Sequence, residues 1–264
     1  MGDASFALLR RRRQIALGNL ARAYPELPAR ERLRLARRAS QHLGMTLAEL
    51  PRLLSDVNST LARIRLEGLE HLDAVMAGHG RALMLTAHLG NWEVLSVAHR
   101  LTPYGLSVVV RPLDAPWLDT VANRLRRRTG VETIDKRGAL RPVLEALRRG
   151  RLIGILMDQN AARREGVFVD FFGHPASTNR SIALLALRTA APIVPIFARR
   201  ETGGLHRVII RPALAVPASN DGETALVELT ARCTAEIERA IREAPEQWLW
   251  SHDRWRTRPP GEHR

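Results

Sequence analysis

Apolar residues recur at helical spacing along the first part of the chain: Leu17, Leu20 and Ala21, then Leu33, Ala36, Leu43, Leu47 and Leu50. This pattern predicts helices over residues 14–54. Pro25 and Pro28 interrupt the run and Pro51 marks its end. From residue 62 the texture changes, and short apolar runs alternate with helix-length stretches. Strands are predicted over 81–86, 106–110, 131–134, 152–157 and 193–198, and helices over 91–101, 118–128, 139–149, 181–189 and 224–243. A return strand at 208–210 follows Thr202-Gly203-Gly204, which reads as a hairpin turn. Strands that alternate with helices predict an α/β fold, with a mostly parallel central sheet flanked by helices and a helical N-terminal segment in front of it. The one soft boundary falls near residue 60. It separates a helical segment, 1–60, from an α/β domain, 61–264, read as one compact unit.

Charge adds a partner class to this picture. Lys plus Arg number 41 against 27 Asp plus Glu, a net +14, and the pI is near 11.5. Such a surface suits nucleic acid, anionic lipid headgroups or phosphorylated substrates. Lys136 is the only lysine. The excess is therefore arginine, which matches phosphate and carboxylate geometry but also accumulates in GC-rich genomes. Nucleic acid is disfavoured, because aromatics are only 5% of the chain and cluster at its C-terminus, and no recognised nucleic-acid-binding signature is present. Cys233 is the single cysteine and reads as a small core residue. No transmembrane segment is predicted: the most apolar stretch, 181–198, carries Arg188, Pro192 and Pro195. The apolar run at 6–9 is too short for a signal peptide. Membrane contact is thus expected to be peripheral, through basic and amphipathic surface.

The sharpest local chemistry lies in Thr86-Ala87-His88-Leu89-Gly90-Asn91-Trp92-Glu93, between a predicted strand and a predicted helix. Gly90 permits a tight turn, Asn91 is a good N-cap, and Glu93 falls in the first helical turn, where a carboxylate is favoured. His88 stays outside the helix, at the carboxyl end of the strand, the edge at which open α/β sheets bind ligands. Imidazole near neutrality can take a proton from an attacking hydroxyl, and a carboxylate can fix its tautomer and stabilise the imidazolium. On its own, His-x(4)-Glu is equally an incidental pairing of a histidine with a helix-start glutamate. Neither a Gly-x-Ser-x-Gly elbow nor a Walker loop is present, and Gly78-His79-Gly80 stands before a strand, the wrong order for a dinucleotide site. The histidines form no spacing that reads as a metal site.

Five further elements accompany that motif in a fixed order. They are Asn19-Leu20 with Tyr24-Pro25, Val110-Arg111-Pro112, Met157-Asp158-Gln159 with Asp170-Phe171-Phe172-Gly173, Ala191-Pro192-Ile193-Val194-Pro195, and the run from Pro245 to Trp255. Together, over residues 17–258, they resemble the lipid A biosynthesis (late, secondary) acyltransferases of the glycerolipid acyltransferase superfamily. The resemblance implies transfer of a fatty acyl chain from an acyl thioester to a hydroxyl of a lipid A precursor. Acyl carrier protein is the expected donor and acyl-CoA the alternative. It implies His88 and Glu93 as catalytic residues, no resident cofactor and no metal. The other acceptors left open are a different membrane glycolipid, such as an acylated mannoside, or a lysophospholipid.

The same resemblance assigns substrate-binding roles to Asn91, Trp92, Arg111, Asp158, Gln159, Phe171, Phe172 and Gly173. Each role has a plainer counterpart. Arg111 can bind a phosphate or an oxyanion, or simply pair with Asp114. Asp158 and Gln159 can position the acceptor or hydrogen-bond their own loop. Phe171, Phe172 and Gly173 can line an acyl groove or belong to the core. The implied location is the cytoplasmic face of the inner membrane, against an anionic surface. Members commonly begin with a hydrophobic anchor before the Asn-Leu element. This chain starts only a few residues upstream of where such an anchor would end, so it is expected either to bind peripherally or to lack its start.

Overall fold

The computed structural model describes residues 2–111, 115–217 and 221–261. The N-terminal helices are α1 (Gly2–Leu8), α2 (Arg10–Ala23), α3 (Ala29–Ser55) and the short α4 (Val57–Leu61). The strands are β1 (Ile64–Glu67), β2 (Ala82–Thr86), β3 (Leu106–Val110), β4 (Glu132–Asp135), β5 (Leu152–Leu156), β6 (Gly166–Phe171), β7 (His174–Asn179), β8 (Ile193–Arg200) and β9 (His206–Ile210). Between and after them lie α5 (Leu69–His79), α6 (Leu95–Ala98), α7 (Pro116–Thr129), α8 (Leu140–Arg148), α9 (Ser181–Thr189) and α10 (Gly222–Glu243). Contacts group the chain into two units: residues 48–156 with 189–214, and residues 1–47 with 157–188 and 215–264.

The first unit holds a seven-stranded sheet in the order β1-β9-β8-β2-β5-β3-β4. β2 is central and runs parallel to both neighbours, with Thr86 opposite Leu156 of β5 and Leu85 opposite Pro195 of β8. All five residues of β2 are buried, as are most of β5 and β8. A strand in the middle of a parallel sheet covered on both faces loses its alternation and reads as a continuous apolar run. β8 returns antiparallel into β9 through residues 202–204, the hairpin expected from the two glycines. The sheet is therefore mostly parallel, and helices flank it.

Two elements of this unit carried little signal. β1 is four residues with the sequence Ile-Arg-Leu-Glu, too short and too polar to stand out. The helix expected over 91–101 is two 3-10 turns, 92–94 and 99–101, around the single turn of α6. The Asn91 carbonyl accepts from Val94 N–H, and that i→i+3 bond sets the tighter start.

The second unit contains a two-stranded antiparallel hairpin, β6–β7, which packs with α10. Its turn places Phe172 at φ 56° and Gly173 at φ 75°, the doubly left-handed geometry of a two-residue hairpin. Phenylalanine is a costly residue there and is held by its surroundings. The Glu238 carboxylate accepts its N–H at 2.6 Å. Its ring stacks edge-on with Tyr24 at 5.5 Å and lies under the Arg242 guanidinium at 4.4 Å. Tyr24 is pushed up to about 12, mainly by burial. Cys233 on α10 is buried and its thiol is likewise raised to about 12, chiefly by burial, as suits a core residue.

Candidate active site

Thr86 ends β2 at the carboxyl edge of the sheet. From Ala82 to Ala98 every residue is buried except His88 and Trp92. Those two rings meet edge to face, with centroids 4.9 Å apart. The turn between them is built from the backbone. Leu89 N–H donates to Ala87 O at 2.8 Å, and Gly90 adopts φ 59°. A side chain at Gly90 would run into the Ala198 carbonyl of β8, so the turn lies directly against that strand. Asn91 closes it as an N-cap: its Oδ1 accepts the Glu93 N–H at 3.2 Å.

Glu93 is itself buried. Its Oε1 accepts from Arg126 Nη2 of α7 at 2.5 Å, and both side chains are close to nine-tenths buried. Oε2 is buried and has no hydrogen-bond partner among the described residues. A carboxylate oxygen stripped of water and left unpaired costs on the order of 1–3 kcal/mol or more, a cost that a ligand or a neighbouring donor can recover. Behind the turn, Glu49 of α3 accepts from Asn91 Nδ2 at 2.7 Å and pairs with Arg200 at the end of β8. Its Oε2 also lies 3.5 Å from His206 Nε2.

Arg111 is exposed and follows β3, so it stands at the same carboxyl edge two strands from His88, a lateral separation of about 10 Å. Pro112, Leu113 and Asp114 lie outside the described residues. His88, Asn91, Trp92, Glu93 and Arg111 thus share one sheet edge.

The other expected residues belong to the second unit. Asp158 is buried and accepts the indole N–H of Trp248 at 2.8 Å; Gln159 is half-buried. Phe171 is fully buried between Phe172, Trp248 and Trp255. Arg254, also fully buried, donates to Ser177 O at 2.8 Å and covers the Phe171 ring at 4.8 Å. Burial pushes its pKa down to about 10, against the pull of the Asp158 charge. His252 Nε2 accepts the Asn160 N–H at 3.1 Å, a structural role. Among the described residues no three His, Cys, Asp or Glu side chains converge as metal ligands.

No sequence signal marks Arg126, Glu49 or Arg200, and His206 stands out only as one of the histidines without metal-ligand spacing. Arg126 sits in Arg124-Leu125-Arg126-Arg127-Arg128, a run that reads as a solvated helix face. Only the half-burial of every third or fourth position, visible once the helix is docked, separates it from its neighbours.

Residues 1–257 match the family model described as bacterial lipid A biosynthesis acyltransferase. The lipid A biosynthesis lauroyltransferase of Escherichia coli (strain K12) is 28% identical over 264 residues, covering 99% of this chain and 84% of that protein. The palmitoleoyltransferase of the same organism is 28% identical, again over 99% and 84%. A phosphatidylinositol mannoside acyltransferase of Mycobacterium tuberculosis is 33% identical over 144 residues, 48% of this chain and 42% of that protein.

Proposed function

Because the chain belongs to the bacterial lipid A biosynthesis acyltransferase family and is an acyltransferase, we propose that it moves a fatty acyl chain from an acyl thioester, acyl carrier protein in the first instance, to a hydroxyl of a lipid A precursor. His88 takes the proton of the acceptor hydroxyl as its oxygen attacks the thioester carbonyl carbon. The carbonyl oxygen becomes an oxyanion, and Arg111 at the same edge supplies positive charge toward it or toward a substrate phosphate. When the intermediate collapses the C–S bond breaks, the new C–O ester remains, and the imidazolium returns its proton to the departing thiolate. Glu93, tethered through Oε1 to Arg126, keeps its unpaired Oε2 for the reaction, where its charge stabilises the imidazolium that forms. Trp92 braces the ring.

The observation that carries this reading is the exposure pattern. In an otherwise buried strand and turn, His88 and Trp92 alone are only half-buried, at the edge where such sheets bind ligands. The test is an assay of the purified chain with acyl-carrier-protein and acyl-CoA donors against a lipid A precursor. His88→Ala and Glu93→Gln are expected to lower kcat by about 100-fold or more. Wild-type turnover in His88→Ala would sink the assignment. A second reading, the same chemistry on a mannosylated phospholipid, is favoured by the 33% identity to the mannoside acyltransferase. A mannoside acceptor belongs in the same assay.

The peripheral, inner-membrane location is part of this proposal. Leu8 and Leu9 are exposed beside the exposed Arg10, Arg11 and Arg12, and among the described residues no helix is long and apolar enough to cross a membrane. An apolar tip with adjacent guanidinium groups suits an anionic bilayer surface. Flotation with anionic vesicles, weakened by salt and by Leu8→Ser with Leu9→Ser, is the expected behaviour; flotation indifferent to both would exclude this surface.

A further inference from the structure

The Asn91 amide does two things at once. Its oxygen caps the turn that carries Glu93, at 3.2 Å from the Glu93 nitrogen, and its nitrogen donates to Glu49 Oε2 at 2.7 Å. An amide has one accepting end and one donating end, whereas an ionised carboxylate only accepts. With Asn91 wholly buried, no water is at hand to rescue the opposite orientation. Glu49 therefore dictates which way the amide faces. Glu49 is itself fixed from the sheet: Arg200 of β8 engages Oε1, and His206, the cross-strand partner of Arg200 in β9, approaches Oε2 at 3.5 Å. β8 thus meets the turn twice, through Ala198 O behind Gly90 and through Arg200 on Glu49.

We propose that Glu49 is a positioning residue for the reaction: it locks the Asn91 amide in the capping orientation, and through that cap it sets the turn presenting His88 and Glu93. The inference rests on the reading that acyl transfer occurs at His88. It predicts an effect on turnover more than on substrate binding, since Glu49 acts on the turn and not on the lipid.

Polarity makes the idea testable by exchange. In Glu49→Gln, Arg200 claims the one remaining oxygen, so the new NH2 group confronts the Asn91 NH2. Asn91→Asp sets two carboxylates against each other. Combining the two restores one donor facing one acceptor, with an oxygen still available to cap Glu93. Steady-state kinetics and thermal melting are measured on the full chain with an acyl thioester and a lipid A precursor, with His88→Ala alongside. Each single variant is expected to lose about tenfold in kcat, an effect of about 1.4 kcal/mol, with KM within about twofold. The double variant is expected to recover most of the loss.

Wild-type kcat in Glu49→Gln, or a double variant no better than the worse single one, overturns the proposal. Where Asn91→Asp does not fold, Glu49→Asp decides: it keeps an acceptor-only group and must retain more kcat than Glu49→Gln, and the reverse order overturns the proposal. If His88→Ala retains full turnover, the reacting site lies elsewhere and both readings fall. If His88→Ala is inactive while Glu49→Gln is fully active, only the role of Glu49 falls.

Discussion

Arg126 and Glu93 form a pair in which burial raises the stakes of losing one partner. Removing only the arginine strands a carboxylate with both oxygens out of water, and breaking a buried pair in this way costs about 3–5 kcal/mol. Replacing both partners with apolar groups avoids that penalty. Arg126→Met is therefore expected to destabilise the protein by about 3 kcal/mol, and Arg126→Met with Glu93→Met to regain most of the stability while staying inactive. Urea denaturation beside the acyl-transfer assay separates the two effects. A double variant with full activity would reduce Glu93 to a structural residue. Gly90 is constrained by its neighbour strand as well as by its backbone conformation. Both Gly90, at φ 59°, and Gly130, at φ 80°, are left-handed, but only at Gly90 would a side chain strike another strand; around Gly130 nothing lies within 4 Å. Gly130→Ala should cost about 1 kcal/mol from conformation alone, and Gly90→Ala clearly more, with loss of activity. Equal costs in thermal melts would mean that the turn does not press on β8.

At the scale of elements, the β6–β7 hairpin shows why local pattern reading misses some structure. β7 is His-Pro-Ala-Ser-Thr-Asn, with no alternating apolar face, and its turn opens with a phenylalanine where glycine or asparagine is the usual signal. The hairpin is held from outside its own sequence, by Glu238 on the Phe172 N–H and by the rings of Tyr24 and Trp250 on Phe172. Phe172→Ala is expected to destabilise by about 3 kcal/mol, measurable by chemical denaturation. A change under 1 kcal/mol would show that the ring cluster does not hold the turn. By contrast α7, α8 and α10 were legible to within two residues of their ends. Each has an apolar stripe at helical spacing, and stop signals such as Gly130 and Gly150 follow the first two.

For the whole molecule, two histidines report how folding couples to pH. His99 and His206 both have their pKa pushed down, mainly by burial; a Ser96 carbonyl contact opposes this at His99, and at His206 Glu49 opposes it while Arg200 reinforces it. Their unfolded forms take up protons near the ordinary value of 6.5, before the folded forms do. Stability is then complete above that value and declines as pH falls below it, levelling off beneath the folded values. The urea midpoint should accordingly be lower at pH 5.5 than at pH 7.5, and His99→Gln with His206→Gln should shrink the difference. An unchanged difference would assign the pH dependence to other groups.

Most of the alternation of strands and helices, the family likeness and the passage from strand to capped turn between Thr86 and Glu93 were legible from sequence, because those signals lie in contiguous residues whose periodicity and turn chemistry can be read locally. Which charges complete that passage depends on long-range packing. Arg126 lies 33 positions from Glu93, Glu49 lies 42 from Asn91, and Arg200 lies 151 from Glu49. A charged residue on a helix looks the same in sequence whether it faces water or a buried carboxylate. The difference arises when the strand order brings β8, α3 and α7 to the end of β2 and burial removes the water that would otherwise serve as partner.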